Sequence, residues 1–190
     1  MRPVVQITLS DFVDAAYQAG RQENWLAAIA LALTLPDICA AVDDPGKSRS
    51  QARYARWWDD YVASKYWVTP DPGEDWIAHS YLPGSDAFYL RCSYLHAGGD
   101  VLSGKDQLMN RVQFRGPDDG WRFGLDEETR TLTIPVNVFV EHVCAGVTAW
   151  LEDRANDPEA QRRLAGLISV LPSAITHNRR DGSRVKWTGR

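Results

Sequence analysis

The chain is poor in the residues that build most metal and redox centres. Its 190 residues hold three cysteines, two methionines and four histidines. Cys39, Cys92 and Cys144 lie far apart inside apolar segments. An odd count so widely spread argues against a disulfide framework and for free, buried thiols in a reducing cytoplasm. No second Cys/His pair stands at ligand spacing, so a structural zinc lacks its ligand set. Neither a metal nor a cofactor is expected. A surplus of positive charge is lacking too. The formal net charge of −4 argues against wholesale coating of nucleic acid. Long apolar runs are also scarce. The stretch from Trp25 to Val42 comes nearest, but Pro36 and Asp37 interrupt it and leave too short a clean segment to span a bilayer. It reads as a buried core helix, with no membrane partner. The N-terminus carries Asp11 and Asp14 and no signal-peptide pattern. No internal repeat or low-complexity tract is visible, which excludes a solenoid.

What is present suits one soluble domain with a substantial core. Apolar residues make up 44% and charged residues 24%, ordinary for a globule. Eight tryptophans are many for this length and belong in cores and interfaces. The pattern predicts a mainly α protein, a helical bundle with a small antiparallel β insertion. Residues 1–176 form the single domain, with the insertion at about 110–134, and 177–190 form a basic C-terminal tail. That tail holds five Arg/Lys and one Asp, a net of +4, which leaves −8 on the rest. It is expected to be solvated or to touch RNA.

Helices are expected from Ser10 to Ala19, Arg21 to Val42, Ser48 to Lys65, Ser85 to Ala97, Pro135 onward, and Glu159 to Leu171. Pro36 should kink or restart the second of these. Asp37 then caps the restarted helix; alternatively it lies in a polar pocket near Arg91 and His96. Residues 69–76, rich in Pro, Gly and acid, read as a loop, and Trp76 to Leu82 as a short helix or a loop. Alternation around Val112–Phe114, Trp121–Phe123 and Thr131–Ile134, with a strong turn at Gly116–Gly120, predicts two or three antiparallel strands.

The run Arg91-Cys92-Ser93-Tyr94-Leu95-His96, closed by Ala97-Gly98-Gly99, carries the chemistry. Arginine offers a permanent, planar fork of donors to a phosphodiester. Histidine titrates near neutrality and can move a proton. Pro83-Gly84-Ser85-Asp86 starts the helix, and the glycines stop it. His96 thus falls in the last turn, where the helix dipole favours a protonated ring. Five residues separate the pair by about 7.5 Å along the axis and about 140° around it. They do not share a face; a long arginine side chain could still reach toward the same pocket, more easily if a second subunit completed it. As a permanent cation and a helix-end residue, both should matter little to stability. The plainer alternative is a surface arginine and a C-capping histidine.

The spacing resembles the R-x4-6-H signature of the HEPN superfamily, small helical proteins of which many are metal-independent ribonucleases. By that resemblance Arg91 stabilises the scissile phosphate. His96 acts as general acid or base while the ribose 2′-hydroxyl attacks. The products carry 2′,3′-cyclic phosphate ends. The resemblance implies an RNA substrate, a homodimer with two motifs across a two-fold axis, and a role in toxin–antitoxin pairs, antiphage defence or RNA processing. An antitoxin or other protein partner goes with that role. Family members usually place a polar residue after the arginine; here Cys92 follows. That departure and the acidic body favour the rival class, a non-catalytic helical module for protein interaction or dimerisation.

Other constellations carry less. Gly99 through Lys105 matches G-x-x-x-x-G-K, but Asp106 follows where a hydroxyl should hold magnesium. Gly46-Lys47-Ser48 fits only the end of that motif. Cys92 and His96, four apart, should share a helix face. Trp57-Trp58-Asp59-Asp60 could stack bases, though its helical spacing suits a core. His142 is a helix-surface histidine, or a second acid or base.

Overall fold

A computed structural model describes residues 5–46, 49–69, 79–117, 120, 123–170, 176–178 and 184–186. In chain order the elements are β1 (Val5–Gln6), α1 (Leu9–Arg21), α2 (Trp25–Asp43), α3 (Ser50–Tyr61), a 3-10 turn (Ala63–Tyr66), β2 (Trp67–Val68), β3 (His79–Ser80), α4 (Gly84–Ala97), β4 (Arg111–Arg115), β5 (Gly124–Asp126), β6 (Thr131–Pro135), α5 (Val136–Asp153), α6 (Pro158–Leu164), β7 (Ser169–Val170), β8 (Thr176–Asn178) and β9 (Arg184–Lys186). The fold is mainly α.

Helix starts follow side-chain chemistry more closely than apolar periodicity. Thr8, not Ser10, caps α1, because Asp11 three residues on returns the hydrogen bond to complete a capping box. Asn24 caps α2 by accepting from the Ala27 N–H. Helix α2 is apolar on nearly every side and forms the centre, packed by α1, α3, α4 and α5. Its length and apolarity would also suit a membrane span, but half of its apolar stretch is buried inside the fold. Pro36 neither ends nor restarts it: the helix runs through to Asp43. Burial of Leu33, Leu35, Cys39 and Ala40 on the surrounding helices offsets the missing backbone bond.

Glycine decides how closely α3 and α4 meet. A Cβ on Gly84 would sit 2.2 Å from the Ala55 carbonyl oxygen, so only glycine permits this crossing. At the other end of α4, Gly98 adopts φ +64° and closes the helix, its N–H donating to the Tyr94 carbonyl and that of Gly99 to the Ser93 carbonyl.

The β insertion is mixed rather than antiparallel. Its order is β4-β6-β5, with β4 parallel to β6 and β5 antiparallel to it. The turn signal at 116–120 suggested a hairpin joining neighbouring strands. Instead β6, whose Leu132 and Ile134 are fully buried, takes the central place, with β4 and β5 on either side of it. The most apolar strand gains two partners by this arrangement.

The last expected helix is short. After Leu164 the chain turns, and β7 pairs with β1. Part of the basic tail is ordered as an antiparallel hairpin, β8 with β9. His79 lies in β3, where a short helix or loop was expected, and β3 pairs with β2. The expected loop at 69–76 falls almost wholly outside the described residues, as do Trp76, Trp121, Lys47, Ser48 and Pro172.

Candidate functional site

Arg91 and His96 meet, although their Cα positions do not share a helix face. The Arg91 side chain runs between α4 and α2. Its Nε donates to Asp37 Oδ2 at 2.7 Å, and its Nη1 lies 3.0 Å from His96 Nε2. A guanidinium cannot accept, so Nε2 is the acceptor and carries a lone pair in this arrangement. The expectation that one chain alone makes a poor pair is thereby corrected. The long arginine side chain reaches across the angle, and its forked head serves two partners at once.

Of the two places expected for Asp37, the preferred helix cap fails and the alternative, beside Arg91 and His96, holds. Asp37 caps no restarted helix; it is the counter-ion of Arg91, and the two side chains are 20% and 22% exposed. The available signal was a carboxylate in an otherwise apolar helix, which needs a partner when buried. Burial pulls the Arg91 pKa down, but the charge and hydrogen bond of Asp37, with a smaller contribution from the Cys92 thiol, outweigh it and leave the pKa raised. Arg91 is thus a permanent cation, held in place.

The surroundings brace this trio. Tyr54 is fully buried, within electrostatic reach of Asp37, Arg91 and Cys92. Its hydroxyl donates to the Leu33 carbonyl at 3.3 Å, and burial pushes its phenol well above the ordinary range. On α4, the Tyr94 hydroxyl donates to the Leu26 carbonyl and the Ser93 hydroxyl to the Val101 carbonyl. These ties hold the turn that carries His96, itself exposed. Beside Asp37 opens a groove of about 430 Å³, walled by Ile38, Ala41, Val42, Pro45 and Leu167.

The remaining candidates are placed otherwise. Trp57 and Trp58 are buried, so neither face is offered to a base. His142 packs edge-on against Tyr66 at 5.1 Å, and His79 against Tyr81 at 5.3 Å. The glycine-rich run after α4 wraps no phosphate. Its Gly104 N–H is taken by Gln107 Oε1, and beyond the run the Leu108 and Met109 N–H groups go to the buried Asp86 carboxylate. All three cysteines are free; Cys39 and Cys144 are buried, Cys92 only partly. Burial raises the Cys39 thiol far above its usual range and Cys144 to about 12, which leaves both poor nucleophiles. Among the described residues no three His, Cys, Asp or Glu side chains converge as a metal site.

Chemically, the trio offers a fixed cation with donors to spare beside an exposed imidazole whose Nε2 accepts from that cation. That combination can hold an oxyanion and exchange a proton next to it. No family model, no curated protein and no solved structure matches this chain.

Proposed function

We propose that the chain is a HEPN-like, metal-independent endoribonuclease acting in the cytoplasm, in toxin–antitoxin pairing or antiphage defence. The observation that supports this reading is the Arg91–His96 contact at 3.0 Å, anchored by Asp37. In the reaction, the 2′-hydroxyl gives up its proton as its oxygen bonds to the adjacent phosphorus. The P–O5′ bond breaks and the departing oxygen is protonated, leaving a 2′,3′-cyclic phosphate and a 5′-hydroxyl. Arg91 stabilises the charge that builds on the phosphorane-like transition state. His96 serves as the base once the substrate draws Arg91 Nη1 away from Nε2, and as the acid in its protonated form. The working unit is a homodimer. Leu26 and Val101, both exposed, flank the motif helix and suit cover by a second copy.

The test is cleavage of a mixed RNA pool at matched folded concentration. Arg91→Ala should slow it by about 10²–10³ and His96→Ala by about 10²–10⁴, while Ser103→Ala keeps activity. Cyclic phosphate ends are read by mass spectrometry. A wild type inactive on broad RNA pools, or variants as fast as wild type, ends this reading. One observation favours a second reading, the non-catalytic interaction module: the guanidinium already has both Asp37 and His96 as partners in the free protein. That module would bind a protein or a second copy and cleave nothing.

A further inference from the structure

A second polar cavity, about 340 Å³ in volume, lies among the C-terminal end of α2, helix α3 and the junction of α5 with α6. Neither Arg91, His96 nor Asp37 lines it. Its size is at the small end of the range for ligand pockets, roughly 300–1,000 Å³.

The walls carry four carboxylates, of Asp43, Asp44, Asp60 and Asp157, beside three guanidinium groups and the Trp57 indole, and the donors cluster on one side. Asp43 is fully engaged: Oδ1 accepts from Arg154 Nε, and Oδ2 from the Trp150 indole and Arg154 Nη2. Asp157 spends one oxygen capping α6, accepting from the N–H groups of Glu159 and Ala160. On the opposite wall, three donors of α3 lack acceptors. The indole N–H of Trp57, a residue only 3% exposed, is buried without a partner. Arg53 Nε, one turn earlier, is likewise buried without one, and its Nη1 makes a single long bond of 3.4 Å to the Asp44 carbonyl. Arg56 is exposed and forms no ion pair among the described residues. Unanswered buried N–H groups are costly, and two guanidinium groups three residues apart on one helix face repel unless an anion lies between them. A guanidinium fork matches the spacing of oxygens in phosphate and carboxylate. Asp60, exposed on the same helix, and Asp44 bring further acceptors to the cavity.

We propose that this cavity binds a small oxyanion-bearing metabolite that also carries hydroxyl or amino donors, with a sugar phosphate as the type. Arg53, Arg56 and the Trp57 indole hold the oxyanion, and Asp60 takes the donors. Amino acids share this chemistry through their carboxylate, so the probes must separate the two sources.

The test uses the full chain and the indole N–H signals in ¹H–¹⁵N NMR, the Trp57 signal being assigned by its loss in Trp57→Phe. Ribose 5-phosphate, inorganic phosphate and L-serine are each titrated to about 10 mM, ten times a weak dissociation constant of about 1 mM. The Trp57 signal should move downfield and saturate with ribose 5-phosphate, and less readily with inorganic phosphate. Arg56→Gln, a change at an exposed position that spares the core, should weaken binding at least tenfold. Asp60→Asn should erase the preference for the sugar phosphate. A response to L-serine alone assigns the oxyanion as a carboxylate and keeps the site. No saturable shift with any probe means a cavity holding water only and overturns the proposal. So does a shift unchanged in both Arg53→Gln and Arg56→Gln. None of these readouts requires RNA cleavage.

Discussion

Replacing Asp37 with alanine removes the carboxylate that holds Arg91 Nε at 2.7 Å. Two unit charges about 4 Å apart interact by roughly 4 kcal/mol at an effective dielectric of about 20. Much of that gross attraction offsets the desolvation of two groups that are about four-fifths buried. A hydrogen bond to a charged group nets about 1.5–3 kcal/mol. Asp37→Ala should therefore cost about 2 kcal/mol. For a chain of this size that lowers the melting temperature by about 4–8 °C. Arg91→Ala should cost a similar amount, because it strands the Asp37 carboxylate; an ordinary surface arginine would cost within about 0.5 kcal/mol. This reverses the sequence expectation that Arg91 matters little to stability. The double variant should lose less than the sum, with a coupling of about 1–2 kcal/mol. Urea unfolding of the four proteins at neutral pH, followed by circular dichroism, measures the cycle. A coupling below about 0.5 kcal/mol would place the pair with ordinary surface ion pairs and refute its role as the anchor of the site.

Gly84→Ala should lose about 2–3 kcal/mol in the same assay, because its Cβ meets the Ala55 backbone, which cannot swing aside as a side chain can. Burial raises the Asp86 pKa despite its bonds to the Leu108 and Met109 N–H groups. Its contribution is thus fully present below the ordinary value of 3.8 and is lost as pH rises through the folded value; Asp86→Asn should flatten that segment of the stability profile. Hydrogen bonding to Arg162 lowers Glu159 from 4.5 to about 2. Its ion pairs in α6 should persist above 4.5 and fade as pH falls through about 2, and Glu159→Gln should remove that acid-range dependence. A thiol reagent at about pH 8 should label Cys39 and Cys144 only as fast as the fold opens; labelling of all three cysteines at one rate in the native protein contradicts their burial.

Some of this protein could be read directly from its residues. The apolar run from Trp25 to Val42 had to be central, because no other surface could cover it. Gly98 had to end the motif helix, because that turn needs a positive φ. Cys39 and Cys144 were legible as buried thiols from their apolar neighbours. Each depends on local chemistry or on the one-dimensional pattern of burial. Other features depended on contacts across the chain. Asp37 and Arg91 are 54 positions apart, and nothing local says that one carboxylate in α2 waits for one guanidinium in α4. The passage of α2 through Pro36 was settled by packing on four helices, which outweighs the local preference to break. Strand order was settled the same way: alternation marks strands but not neighbours, and the burial of Leu132 and Ile134 put β6 between β4 and β5. The unmatched donors of Arg53 and Trp57 were invisible in sequence, because a missing partner is a property of the space around a group. Sequence determines which groups need partners, and only the tertiary structure decides which of them find one.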